Sequence, residues 1–144
     1  MSTDKHTLDE LAGQYNRGLV TSLKSEGALT SPMIEDAFIS IPRHTFIDYY
    51  YVHDAAGTEG DQWRRIERPS GEDAAAWLEG IYANVPLVTA FDEAGMPGSS
   101  SSSPDIMAFM LEALRLRPGM RVLEIGTGTG YNAALLAHIV GDPQ

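Results

Sequence analysis

The feature that most constrains this chain lies near its C-terminal end. There Glu124-Ile125-Gly126-Thr127-Gly128-Thr129-Gly130-Tyr131 joins two apolar segments. Before it, Met120-Arg121-Val122-Leu123-Glu124-Ile125 is short, aliphatic and partly β-branched, the pattern of a strand. After it, Ala133, Ala134, Leu135, Leu136, Ala137, Ile139 and Val140 leave almost no polar face, so a helix here packs flat against a sheet. Strand, glycine loop and helix in that order open a doubly wound α/β fold. Glycines at alternate positions cost conformational entropy, and they earn their place where the backbone must take angles that side chains forbid. They also let a ligand lie on bare main chain, with loop amides and a helix N-terminus as donors.

The spacing narrows the ligand. A dinucleotide fingerprint, Gly-x-Gly-x-x-Gly, counted from Gly126 requires glycine where Tyr131 stands. Counted from Gly128 it ends on Ala133, an accepted substitute, so a NAD-binding oxidoreductase remains an alternative reading. A triphosphate loop needs Lys-Ser or Lys-Thr after the glycines, and the chain has neither there. The better match is Glu-x-Gly-x-Gly-x-Gly. It resembles motif I of class I S-adenosylmethionine methyltransferases, where a carboxylate at the strand end suits a cationic methionine moiety. That resemblance implies a site for S-adenosyl-L-methionine built from Glu124, Gly126, Thr127, Gly128, Thr129, Gly130 and Tyr131.

Upstream, Leu8, Leu11, Ala12, Tyr15, Leu19, Val20 and Leu23 recur with helical spacing, with Thr7 as the expected cap and Gly27 as the stop. Ser31-Pro32 opens a second helix through Ile34, Ala37 and Phe38, and Pro42 ends it. The stretch 54–73 is rich in Gly, Asp, Glu and Arg and reads as an exposed loop with little structure of its own. Trp77, Leu78 and Ile81 mark a helix over 74–82. Residues 85–90 read as a strand, and Pro86 near its start predicts an edge position. Residues 95–103, with five consecutive serines, have a linker's composition. Ser103-Pro104-Asp105 then starts a helix whose expected stripe is Ile106, Met110, Ala113 and Leu114, with Met107 and Leu111 alongside. The expected architecture is α/β. A mostly helical N-terminal region, 1–103, precedes the beginning of a Rossmann-like methyltransferase domain, 104–144, whose sheet is incomplete in this chain.

Two further segments narrow the resemblance. Ile41-Pro42-Arg43-His44-Thr45-Phe46 resembles the Val/Ile-Pro-Arg-His-x-Phe signature of protein-L-isoaspartate O-methyltransferases. Val85-Pro86-Leu87, the serine run, Pro104 and the helix resemble that family's approach to motif I. Trp77-Leu78-Glu79-Gly80-Ile81-Tyr82 is similar to a stretch in the longer, actinobacterial-type members. The resemblance implies an enzyme in which a carboxylate of an aspartyl or isoaspartyl residue attacks the sulfonium methyl. The ester then loses methanol to the neighbouring backbone nitrogen, leaving a succinimide. The acceptor would be a damaged protein or a ribosomal peptide precursor. Family members carry a catalytic serine two residues before the helix-opening proline, which is Ser102 here, although Ser103 replaces the family's glutamine. His44, in the same signature, is expected to order the local backbone.

Composition sets the remaining bounds. A net charge of −10 repels phosphate backbones, so nucleic acid is not an expected partner. No stretch approaches the roughly 18 apolar residues of a membrane span. The N-terminus lacks the apolar run of a secretory signal, and a cytoplasmic location is expected. There are no cysteines, and His6, His53 and His138 share no ligand spacing, so no metal site is expected. The sequence stops at Gly141-Asp142-Pro143-Gln144, before a second strand whose terminal acidic residue, about 20 residues past the glycines, would hold ribose hydroxyls. The expectation is therefore the N-terminal portion of a longer enzyme. A complete product of this length would be unstable, rearranged or oligomeric through unpaired sheet edges. A non-catalytic interaction module is the alternative for the chain by itself.

Overall fold

The computed structural model describes residues 2–54, 62–69 and 74–141. Helix α1 (Ser2–Ser25) buries Ala12, Leu19, Val20 and Leu23, as the periodicity predicts. It begins ahead of Thr7, which is an interior position and not the cap. Once nucleated, a helix gains one hydrogen bond per added residue, so it outruns its buried stripe. Asn16, on that stripe, donates to the carbonyls of Phe38 (2.9 Å) and Ile39 (3.2 Å). Those carbonyls belong to the last turn of α2 (Pro32–Ser40), whose Ser31 cap and leading proline are as expected. A 3₁₀ turn (Arg43–Phe46) follows Pro42.

The region before residue 104 also holds, beside its helices, a four-stranded antiparallel sheet in the order β2-β1-β3-β4. Strand β1 (Tyr49–Asp54) pairs along its length with β2 (Gln62–Glu67), from Tyr49 opposite Glu67 to Asp54 opposite Gln62. So the expected loop over 54–73 contains a strand; its residues 55–61 and 70–73 lie outside the described structure. Tyr49-Tyr50-Tyr51-Val52 and Trp63 with Ile66 are strong β-formers, and cross-strand pairing outweighs the polar composition between them. Helix α3 (Ala75–Ile81) packs against α1 and the 3₁₀ turn; its Gly80 faces Tyr50 of β1, where a Cβ would overlap the phenol hydroxyl.

Strand β3 (Leu87–Phe91) lies between β1 and β4, so it is an interior strand and not an edge. Pro86 precedes it and removes no ladder bond. The serine run, expected to be a linker, supplies β4 (Pro97–Ser101). Serine and glycine are poor strand formers, but a ready partner ladder decides the outcome. The pairing is irregular, with shifts between Val88 and Ala90 and between Ala90 and Phe91.

Helix α4 (Pro104–Leu114) starts where Ser103-Pro104 predicts. Its buried side is Pro104, Met107, Ala108 and Leu111; the expected stripe of Ile106, Met110 and Leu114 faces outward. Both stripes are apolar, so periodicity alone did not choose between them. Glu112 accepts bonds from the amides of Thr30 (2.8 Å) and Ser31 (2.6 Å), which pins α4 to the start of α2.

Residues 120–125 form no strand among the described residues. Leu123 is 83% exposed and Ile125 89%. A strand exists only through hydrogen bonds to a neighbour, and no described strand pairs with this segment. Helix α5 (Tyr131–Val140) forms over the expected residues, but its main described neighbour is the helix α2 and not a sheet. One continuous apolar cluster runs from Ala12 through Leu78 and Leu111 to Ile139, across the expected boundary at 103/104.

Candidate functional site: the glycine turn and its cleft

The turn after Ile125 is set by three glycines in the left-handed region, Gly126 (φ 79°), Gly128 (φ 56°) and Gly130 (φ 84°). Gly128 is also sterically required: a Cβ there would stand 3.0 Å from the Ser100 carbonyl oxygen. The turn is therefore seated on β4. Gly130 caps α5, and Tyr131 immediately enters the core, 1% exposed, with its ring edge-on to Phe38 and tilted against Phe46.

A cleft of about 550 Å³ opens beside the turn. Glu124, Gly126, Thr127, Thr129 and Asn132 line one side, Ser100 and Ser102 another, and Met107, Leu111 and Leu136 its apolar floor. Gly128 and Gly130 do not line it, since they face β4 and the helix start. The Tyr131 side chain belongs to the core, which corrects its expected place among ligand-contacting groups. Burial pushes its phenol above the usual range.

Glu124 and Asn132 form a pair across the turn: Asn132 Nδ2 donates to Glu124 Oε1 at 2.7 Å. The second carboxylate oxygen of Glu124, Oε2, and the amide oxygen of Asn132, Oδ1, are buried without a hydrogen-bond partner. Buried acceptors left unpaired are costly, so the pair is prepared for donors or a cation arriving from the cleft. Asn132 escaped the sequence reading, yet it is the one polar residue in the first two turns of an otherwise apolar helix.

Ser102 is exposed at the cleft wall, one residue beyond β4. Ser101 also borders the cleft, but its side chain is turned inward, 4% exposed, with Oγ accepting from Arg43, as alternation along an extended chain expects. Ser100, missed in the sequence reading, shares the cleft side with Ser102 by the same alternation.

His44 does not reach the cleft. Its ring is buried, Nδ1 lies 2.7 Å from the Tyr82 hydroxyl, and Nε2 lies 3.7 Å from Asp9. Burial holds its pKa below the ordinary value; Arg68 adds to that and Asp9 opposes it. His138 bonds Asp36 at 2.8 Å, and His53 faces Trp63 on the β1–β2 hairpin. Among the described residues no group of His, Cys, Asp and Glu could hold a metal ion; His6 lies outside those whose side chains are described. No described helix is long and apolar enough to cross a membrane.

An acidic segment end, a left-handed glycine turn and an apolar helix behind it define the opening unit of a class I methyltransferase fold. Comparison with known proteins agrees and is more specific. The sequence model of the protein-L-isoaspartate(D-aspartate) O-methyltransferase family matches residues 71–144. A protein-L-isoaspartate O-methyltransferase of Pyrococcus horikoshii is 33% identical over 131 residues, which is 91% of this chain and 44% of that protein. One from Thermotoga maritima is 36% identical over 112 residues, 78% of this chain and 27% of its own length. A solved protein-L-isoaspartate O-methyltransferase structure superposes with a TM-score of 0.59 at 33% identity, covering 89% of this chain and 31% of that one. The chain belongs to the protein-L-isoaspartate(D-aspartate) O-methyltransferase family. It spans less than half the length of these relatives.

Proposed function

We propose that this chain contributes the cofactor turn and acceptor wall of an S-adenosylmethionine-dependent carboxyl O-methyltransferase acting on aspartyl or isoaspartyl groups of proteins or peptides. One observation carries the reading: Glu124 Oε2 and Asn132 Oδ1 stand unpartnered in the cleft above a glycine turn, beside exposed Ser102. The residues fit the cofactor. Two buried acceptors suit the ammonium and sulfonium end of the methionine moiety, and the bare backbone at Gly126 leaves open space where a side chain would stand. When bound, S-adenosylmethionine supplies a positively charged methyl donor to a carboxylate oxygen.

The chain's own residues orient and exclude water. Glu124 and Asn132 hold the donor's polar end. Met107, Leu111 and Leu136 close the apolar side, where removal of water strengthens every polar contact. Ser102 offers a hydroxyl to the acceptor carboxylate at the cleft wall. Orientation of this kind supplies a large part of the rate when the donor is already activated. The family membership supports the aspartyl or isoaspartyl acceptor, and the absence of any required metal chemistry in the donor is consistent with a cleft of carboxylate, amide and hydroxyl groups. The cellular setting we propose is the cytoplasm.

The test is transfer of labelled methyl from S-adenosylmethionine to peptides that differ only in aspartyl or isoaspartyl linkage. Base-labile incorporation with one linkage preferred, reduced about tenfold or more by Ser102→Ala, is expected. Incorporation that ignores the linkage and survives Ser102→Ala would overturn the reading.

A further inference from the structure

We propose that Arg43 is a positioning residue whose buried guanidinium clamps the end of β4 and thereby aims Ser102 into the cleft. The inference rests on the reading of Ser102 given above, but its geometry stands apart from it. Arg43 is fully buried. Its Nη1 donates to the carbonyls of Ile81 (2.8 Å) and Ala83 (3.2 Å). Its Nη2 reaches the carbonyls of Val85 (3.3 Å), Ser101 (3.4 Å) and Ser102 (3.0 Å), and also Ser101 Oγ (3.2 Å). Nε adds a longer bond to Ser101 Oγ at 3.4 Å. Among the described residues no carboxylate accepts from it.

A buried charge held only by neutral oxygens is a poor way to gain stability, since a packed apolar side chain of similar volume often does as well. What the guanidinium offers is direction. Its planar fork presents donors at fixed angles, which an ammonium on a flexible stem does not. Here the fork grips two successive carbonyls, those of Ser101 and Ser102, and ties them to the turn that follows α3. The need is plain from β4 itself: its serine-rich sequence offers little packing, and its ladder with β3 ends at the Leu87–Ser101 pair, one residue short of Ser102. With Ser101 drawn inward by its carbonyl and hydroxyl, alternation turns Ser102 outward into the cleft that Glu124 also lines. The same strand end seats the glycine turn through the Ser100 carbonyl, so the clamp registers both walls of the cleft. Burial lowers the Arg43 pKa to about 10, which still leaves it charged near neutral pH.

The experiment is residue-resolved amide exchange on the full chain, comparing wild type with Arg43→Lys, Ser101→Ala and Ser102→Ala. Arg43→Lys keeps the charge and loses the fork. It is expected to speed exchange at residues 100–103 by about tenfold or more, while amides in the middle of α1 and α2 change by less than about threefold. Ser101→Ala should loosen the same four residues by a smaller factor, and Ser102→Ala should leave them unchanged. Uniform loosening across α1, α2 and β4, or unchanged exchange at 100–103, overturns the proposal. Should Arg43→Lys fail to fold by circular dichroism, Ser101→Ala decides: loosening confined to 100–103 supports the clamp and unchanged exchange overturns it. If Arg43→Lys loosens 100–103 while Ser102→Ala leaves methyl transfer intact, the clamp stands and the role given to Ser102 falls.

Discussion

Residues 97–101 and 120–125 invert what their sequences lead one to expect. Pro-Gly-Ser-Ser-Ser has almost no strand propensity and forms β4. Met-Arg-Val-Leu-Glu-Ile has a strand's composition and forms no strand, with Leu123 and Ile125 open to solvent. The difference is the neighbour. The first segment lies along β3, whose Leu87 is buried in the core and whose Val88 pairs with Ser100. The second pairs with no described strand. Propensity measured within a sheet mostly reports packing against partners, so a segment without partners cannot express it.

This comparison can be broken or sharpened by substitution. The largest expected effect is at the partner of the weak strand. Leu87→Ala removes a 3% exposed side chain under β3 and should cost about 2–5 kcal/mol in urea unfolding. If it costs less than about 1 kcal/mol, β4 does not depend on β3 as argued. Next is Gly128→Ala, which combines a left-handed φ of 56° with a Cβ 3.0 Å from the Ser100 carbonyl. A cost of about 1–2 kcal/mol is expected, read in the same unfolding experiment. A neutral result would mean that the turn is not seated on β4.

A smaller, pH-dependent effect belongs to His44. Its folded pKa is depressed by burial, so above about 6.5 it is neutral folded or unfolded and contributes no pH dependence. As pH falls through that value the unfolded chain takes up the proton first, and stability declines. Unfolding midpoints at pH 7.5 and 5.5 should therefore drop more for the wild type than for His44→Gln. Equal drops would remove the argument. The smallest effect is expected at the strand-like segment, where Leu123→Asn, at 83% exposure, should change stability by no more than about 0.5 kcal/mol.

The same contrast explains what was legible in the sequence. Helix α5 and the glycine turn were readable because an all-apolar helix after alternating glycines admits few structures. Helix α2 was readable from Ser31-Pro32. For α4 the existence was legible and the buried side was not, since Ile106 and Met107 begin two equally apolar stripes. Strands β1, β2 and β4 depend on pairing with a second segment, and periodicity within one segment does not carry that information. At the site, Glu124 and Ser102 were named from motif position. Asn132 was hidden in a helix read only for its apolar residues. Arg43 stands inside the Ile-Pro-Arg-His segment, but nothing local to it indicates that its partners are carbonyls some 40 and 60 residues further along.

The central claim is that the Glu124–Asn132 pair over the glycine turn receives the donor's cationic end. Calorimetric titration of the chain with S-adenosylmethionine tests it most directly, with Glu124→Ala and NAD as comparisons. The account predicts saturable one-site binding, weakened about tenfold or more by Glu124→Ala, roughly the 1.5–3 kcal/mol of a charge-assisted hydrogen bond, and no comparable heat with NAD. No heat at millimolar S-adenosylmethionine, or binding indifferent to Glu124→Ala, would contradict it.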